Sequence, residues 1–322
     1  MQPDRIRLHL SKGITMNILL NPLFDVSPEV REALVSKKPV ISLESSAITH
    51  GIPYPLNIET FNRMQAIIRE NDIVPALIGI FKGKIKVGFS DSDIEFMVNK
   101  VESHKINSGE IAWALSNNLY GGTTISATTF LSKTAGIQFF VSGGIGGVHI
   151  SEHIDISSDL RELSSNRIMV ICSGVKAILS VLDTMEILET LSVPVVGYQT
   201  NRMPGFIIRD TGLQLKNVAN DVKAVVDQYK IHQNLERPTA FIIVVPPPEK
   251  NAIPLKEFNG ALEKANQKAK NDGISGSELT PYLLNQINQE FSGSMFSAIT
   301  SMLINNVSLG CQIVNDYYQG DR

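Results

Sequence analysis

Lys176 follows the apolar run Arg167 to Cys172 and the dipeptide Ser173-Gly174, and Val175, Ala177, Ile178 and Leu179 flank it. That pattern predicts a strand, a sharp turn and the first turn of a helix, with the lysine at the positive end of the helix dipole. Apolar neighbours and the dipole both favour the neutral amine. A neutral amine is the nucleophile of Schiff-base chemistry; the competing reading is a solvated surface charge, the state of most lysines. Glu44 is the comparable acid. It ends the apolar run Pro39 to Leu43 and precedes Ser45-Ser46-Ala47-Ile48-Thr49-His50-Gly51. A carboxyl at the end of a buried strand is raised in pKa and can act as a general acid, or it can cap nearby backbone amides.

Val141-Ser-Gly-Gly-Ile-Gly-Gly-Val-His149 places four glycines in five positions behind an apolar strand, so backbone can approach a ligand closely there. The dinucleotide fingerprint fails, because His149 stands where its third glycine belongs and no helical pattern opens behind it. A Walker A loop fails at Gly79 to Gly83, with Ile85 where Ser or Thr is required. An anion or sugar cradle fits better, beside the plain alternative of a packing turn. His149-Ile-Ser-Glu152-His153 matches H-x-x-E-H, but on a glycine loop and not on a helix, so the metallopeptidase reading ranks last. Asp155 and Asp159 offer hard oxygen ligands suited to Mg2+ or Mn2+; Ser158 or Asp159 can equally cap the helix holding Leu160 and Leu163.

The elements that must position these groups read as α/β. Short Val/Ile-rich runs predict strands over Pro39 to Leu43, Ala76 to Phe81, Ile137 to Ser142, Arg167 to Cys172, Val193 to Tyr198 and Thr239 to Val245, with helical periods between them. Asn57 is the expected N-cap of a helix whose stripe is Ile58, Phe61, Met64, Ile67 and Ile68, ending near Asn71. Thr280 and Pro281 open a second helix, which stops at about Gly293. Four prolines between Val245 and Pro254 predict a rigid loop. The expected organisation is an N-terminal extension, 1–25, and one domain, 26–322, with the segment from about Asn251 packing back onto it.

Composition narrows the function classes. The 322 residues carry 29 basic and 32 acidic side chains, a net charge of −3, which gives no electrostatic footprint for nucleic acid or anionic lipid. With 43% hydrophobic residues the chain can bury a large core. No uncharged apolar stretch is expected to reach the roughly 18 residues of a membrane span. Cys172 and Cys311 form no CxxC pair, so neither a disulfide scaffold nor a cysteine zinc site is expected, and a reducing compartment follows. No secretory h-region is present, so the expected location is the cytoplasm, with the short extension a weak organelle signal at most.

Taken as a set, Ser42-Leu-Glu44-Ser-Ser-Ala-Ile-Thr-His50-Gly-Ile-Pro-Tyr-Pro-Leu-Asn57, Gly121-Gly-Thr-Thr124, Ser142-Gly-Gly-Ile-Gly-Gly-Val-His149, Asp155-Ile-Ser-Ser-Asp159-Leu and Cys172-Ser-Gly-Val-Lys176 resemble the pseudouridine-5′-phosphate glycosidase family, also called the indigoidine synthase A family. Leu188-Glu-Thr190, Val193 to Thr200 and Thr280 to Leu284 support it, and the resemblance spans residues 27–318. It implies an α/β/α layered fold, a homotrimer, a divalent metal, commonly Mn2+, and reversible cleavage of pseudouridine 5′-phosphate to uracil and ribose 5-phosphate. It also implies a separate pseudouridine kinase to supply that substrate. Carried over by position, Lys176 is the nucleophile, Glu44 the proton donor, Asp155 the metal ligand, and Lys105, Ile125, Ser157, Ser158 and Asp159 contact substrate.

Several positions depart from the family pattern. Ile106-Asn-Ser-Gly-Glu110 lacks a basic pair and an acid that usually follow Lys105, and the loop from His149 to Asp155 is about two residues short. Ala298 stands where an asparagine is usual, and Val245-Pro-Pro-Pro248 replaces an Asn-Pro-Ile-Pro loop. Two alternatives therefore stay beside the leading reading: a relative that joins or cleaves another carbon-linked sugar phosphate with the same lysine and glutamate, and a non-catalytic homologue.

Overall fold

The computed structural model describes residues 18, 20–99, 102–150, 154–274, 279–291 and 293–320. Its frame is one sheet in the order β1 (Phe24–Val26), β4 (Lys84–Val87), β3 (Val74–Phe81), β2 (Val40–Glu44), β7 (Phe139–Val141), β9 (Met169–Cys172), β13 (Phe241–Val244), β11 (Val195–Tyr198) and β12 (Val218–Ala219). The pairs from β3 through β12 along this path are parallel, while β3 and β4 form an antiparallel hairpin closed by Lys82 and Gly83 at φ 51° and 68°. Positive φ at both loop residues matches the turn to the strand twist. A short branch, β5 (His104–Ile106) on β6 (Gly121–Thr123), joins the sheet at β3, and β8 (Val148–His149) pairs with β10 (Leu179–Ser180) in a separate antiparallel sheet.

All six strands expected from sequence are present, each within about two residues of its expected bounds. They read clearly because a parallel strand covered on both faces becomes a nearly continuous apolar run. The alternation along β3 shows the two coverings: Ala76, Ile78 and Ile80 enter one apolar cluster and Leu77 the other. The first cluster takes in Val30 of α1 (Pro28–Ser36), Ala114 of α4 (Ile111–Ser116) and Leu131 of α5 (Ile125–Thr134). The second takes in Phe61 and Ile68 of α2 (Leu56–Glu70), Ile94 of α3 (Asp91–Asn99), Tyr229 of α8 (Val222–Asn234), Phe258 of α9 (Leu255–Asp272), Ile287 of α10 (Leu279–Glu290) and Met302, Val307 and Cys311 of α11 (Ser294–Gln319). The architecture is α/β/α, with the C-terminal helices forming much of one layer. β1 pairs with β4, so the sheet takes in Phe24 and Asp25, residues assigned from sequence to the extension.

Two expectations need correction. Asn57 does not cap α2: the helix starts at Leu56, and the buried Asn57 amide donates to the Ile48 carbonyl at 2.8 Å, tying the helix to the turn after Glu44. Further, α11 is by length and composition long and apolar enough to cross a membrane, contrary to the sequence reading. Its most apolar window is 61% buried inside the protein, and Gly310 lets it sit close to β7, since a Cβ there would stand 2.7 Å from Val141 Cγ2. α11 is a core helix. The expected second helix is α10, but Leu279 and Thr280 are already helical, so Thr280 is not its cap; Gly293 at φ 85° separates it from α11.

Candidate active site

The carboxyl ends of β2, β7 and β9, neighbours in the parallel sheet, deliver Glu44, Ser142 and Ser173 to one edge, where open α/β sheets bind ligands. Glu44 is buried, and its carboxyl is raised above the ordinary glutamate range by desolvation, against the charge of Lys176 and the hydrogen bond from Ser142. Ser142 Oγ donates to Oε1 at 2.6 Å and Ser46 Oγ to Oε2 at 3.3 Å. Ser142 is itself fixed: its carbonyl accepts from Asn306 Nδ2 at 2.9 Å, and Asn306 Oδ1 accepts from Ser173 Oγ at 3.0 Å. Fully buried Asn306 thus links α11 to the segments carrying Glu44 and Lys176. Asn306 is absent from the residues expected at the site, although a polar residue inside the largely apolar stretch from Met302 to Val314 is a visible signal.

Lys176 does not open a helix. Residues 173–176 run beside the glycine loop, with Ser173 N–H on Gly143 O at 2.8 Å, Ile145 N–H on Gly174 O at 2.9 Å and Lys176 N–H on Ile145 O at 3.0 Å. Gly174, at φ 80°, makes the bend. The next helix, α7 (Val181–Thr190), starts five residues later with Ser180 as its cap. The helix-dipole argument for Lys176 therefore falls. Tertiary pairing with the glycine loop takes its place in positioning the amine.

Lys105, on β5, shares the cleft with Lys176, and its ammonium lies below the ordinary lysine range through desolvation and then the charge of Lys176. Asp159 heads α6 (Asp159–Leu163) but does not cap it: Oδ1 accepts from Ser126 N–H and Oδ2 from Gly146 N–H, both at 2.8 Å. This buried carboxylate clamps the start of α5 to the glycine loop. Ser157 Oγ accepts from Asp159 N–H at 3.2 Å, and Ser158 Oγ donates to Ser126 Oγ at 2.9 Å. Ile125 is buried at the start of α5. In the altered stretch 106–110, Asn107 Oδ1 accepts from Gly109 N–H at 2.8 Å and Glu110 Oε2 from Asn107 N–H at 2.9 Å, so both side chains serve the backbone, while Ser108 N–H donates outward to Ser126 Oγ at 3.2 Å.

A cleft of about 600 Å³, counted to its open mouth, joins Glu44, Ser46, His50, Lys105 and Lys176 to an apolar lining. Burial and the Lys105 charge keep His50 below the ordinary histidine range; neutral, it donates from Nε2 to Ser103 O at 2.8 Å and accepts at Nδ1 from Thr49 Oγ1 at 2.7 Å. Asp155 is half-buried near His149, whose N–H donates to the Asp155 carbonyl at 2.9 Å. Among the described residues no group of three or more His, Cys, Asp or Glu side chains converges on a metal-sized space. With Asp159 engaged by two N–H groups, the donors fit an ion that keeps most of its water and not a protein cage. Glu152 and His153, from the H-x-x-E-H match, lie outside the described residues. Cys172 and Cys311 are free and buried, each thiol pushed by burial to about 12.

The profile of the family described as "Indigoidine synthase A like protein" matches residues 29–316. The chain belongs to this family. Within it, the chain is 38% identical to a pseudouridine-5′-phosphate glycosidase of Staphylococcus aureus and 40% identical to one of Caldanaerobacter subterraneus, each over 91% of this chain and 96% of the relative. A crystal structure of an indigoidine synthase A-like protein from Thermotoga maritima superposes with a TM-score of 0.84 at 35% identity, covering 91% of this chain and 95% of that one. The prealnumycin C-glycosynthase AlnA, solved in complex with ribulose 5-phosphate, also reaches 0.84, at 30% identity over 94% of this chain and 100% of its own. The Indigoidine synthase A-like fold therefore runs through nearly the whole chain.

Proposed function

We propose that the chain is a pseudouridine-5′-phosphate glycosidase, cleaving the carbon–carbon bond between ribose C1′ and uracil C5 reversibly. The observation that carries the reading is the convergence of the Lys176 amino group and the Glu44 carboxyl, raised in pKa by burial, on a single cleft. A C-glycosidic leaving group departs as a carbanion, so the two-carboxylate scheme of ordinary glycosidases does not suffice. The Lys176 amine bonds to C1′ as the C1′–O4′ bond opens, and the proton that the nitrogen sheds goes to O4′. The nitrogen lone pair then closes an imine while the C1′–C5 bond breaks, and the Glu44 proton goes to C5 of the leaving uracil. Water adds to C1′ and returns the amine, releasing ribose 5-phosphate, and the proton set free goes back to Glu44. Lys105, Ser157, Ser158 and the backbone at Ile125 bind the phosphate side of the substrate, and Asp159 holds that region together through Ser126 and Gly146.

Asp155 is the residue to hold a divalent ion, Mn2+ in this reading, chiefly through water. Bound there, the ion offsets negative charge gathered around the phosphate. The working assembly is a homotrimer in a reducing cytoplasm, fed by a kinase that phosphorylates pseudouridine; the two free buried thiols agree with that compartment. The test is incubation of the purified chain with pseudouridine 5′-phosphate and Mn2+. Stoichiometric release of uracil and ribose 5-phosphate is expected, and the absence of uracil release overturns the proposal.

A further inference from the structure

Lys105 stands on a short strand that pairs on one side only: β5 adjoins β6 and no other described strand, with Lys105 opposite Gly122. Side chains alternate along a strand. His104 turns to Trp113, the two rings near-perpendicular with centroids 5.6 Å apart, and Lys105 turns into the cleft. The trans peptide group just before Lys105 is gripped at both ends. Its N–H, on His104, donates to Tyr120 O at 2.9 Å, and its C=O, on Ser103, points the opposite way and accepts from His50 Nε2–H at 2.8 Å. The Ser103 hydroxyl is buried without a hydrogen-bond partner, so this residue is held by its carbonyl and not by its side chain. The His50 ring is fixed in turn, since Nδ1 accepts from Thr49 Oγ1 at 2.7 Å. Thr49 rests on β6: a Cβ on Gly122 would run into its hydroxyl and stand 3.0 Å from Ser46 Cα, an approach that glycine alone permits. Ser45 Oγ donates to Ile78 O at 2.6 Å and accepts from Thr123 N–H at 2.9 Å. The turn directly after Glu44 thus holds β6 through Ser45 and β5 through His50.

The geometry points to His50 as the positioning residue for Lys105: its imidazole, bridging Thr49 and the Ser103 carbonyl, sets where the Lys105 amine stands relative to Glu44. The inference rests on the proposed function only in naming phosphate as the group that Lys105 meets. A lysine carries much rotamer freedom, so its amine is aimed only as well as the backbone beneath it is held. His50 supplies that hold on the side of β5 that no strand covers, without itself touching the phosphate. Desolvation keeps the Lys105 ammonium below the ordinary lysine range, and a loosened β5 would let water relax it.

The test is a double-mutant cycle on His50 and Lys105, read as the calorimetric Kd for ribose 5-phosphate. His50→Phe removes the ring N–H at similar bulk, and His50→Gln carries an amide N–H to the place of Nε2–H. His50→Phe is expected to weaken binding about 10-fold or more, the scale of one hydrogen bond to a charged group, and His50→Gln to stay within about 3-fold of the wild type. In a Lys105→Met background the group to be positioned is gone, so His50→Phe should then change Kd by less than about 2-fold. Additive losses mean that His50 meets the ligand by itself, and they overturn the inference; so does a His50→Gln protein that binds no better than His50→Phe. Thr49→Val, which leaves Nδ1 unheld, serves if His50→Phe does not fold. A second readout needs no ligand: the pH dependence of reductive methylation at Lys105, followed by peptide mass spectrometry. It should move up toward the ordinary lysine value in His50→Phe and return in His50→Gln, and an unmoved profile overturns the inference. A wild-type protein that binds no ribose 5-phosphate while the methylation profile moves overturns the phosphate reading and leaves His50 in its role.

Discussion

Replacing Asp159 by asparagine separates a clamp from a ligand contact. The carboxylate is 4% exposed and accepts two backbone N–H bonds at 2.8 Å, from Ser126 at the start of α5 and from Gly146 in the glycine loop. Asparagine keeps one acceptor oxygen and turns its amide N–H toward the other backbone N–H, donor against donor. A hydrogen bond to a charged group contributes about 1.5–3 kcal/mol, and a buried donor left unpaired costs about 1–3 kcal/mol. With one bond lost and the other reduced to a neutral one, Asp159→Asn is expected to destabilise the fold by about 3 kcal/mol, and Asp159→Ala by somewhat more. The assay is equilibrium urea unfolding followed by circular dichroism, read as a shift of midpoint at constant slope. If Asp159→Asn lies within about 0.5 kcal/mol of the wild type while activity disappears, the carboxylate serves substrate or metal and the clamp is refuted.

Glu44 makes a prediction with a definite sign. Its folded pKa is raised above 4.5, so over the window above 4.5 the native state holds a proton that the unfolded chain has released, and stability declines as pH rises through that window. Glu44→Gln should remove this decline, so its urea midpoint should gain on the wild type as pH rises from 4.5; parallel midpoints at every pH contradict a raised acid. In the wild type, kcat should fall on the alkaline side as Glu44 ionises. For the metal, chelation followed by dialysis should lower turnover and added Mn2+ should restore it, whereas indifference to both removes Asp155 from its assigned role.

The six central strands were legible because burial on both faces leaves an uninterrupted Val/Ile signal, and Glu44 was legible as the acid that ends one of them. Lys176 was found for a partly wrong reason. Val175 to Leu179 has helical composition, but pairing with Ile145 across the glycine loop overrides that propensity. Asp159 was legible as a polar residue at a helix start and not as a clamp, since its partners lie 33 and 13 positions away along the chain. Asn57 looked like a cap for the same reason that it serves the Ile48 carbonyl: its short amide bonds readily to backbone. Phe206 carried no sequence signal, because its positive φ arises from contacts with Ser173, Gly143 and Gly144 that only the folded chain brings together.

The central claim is that the Lys176 amine bonds to C1′ of the sugar. Borohydride added to the protein with ribose 5-phosphate reduces an imine to a stable secondary amine, and peptide mass spectrometry locates it. The account predicts one adduct per chain on the peptide containing Lys176, heavier by a ribose 5-phosphate less one oxygen, and none in Lys176→Ala. Trapping on another lysine, Lys105 included, or no adduct from a protein that still releases uracil, contradicts it.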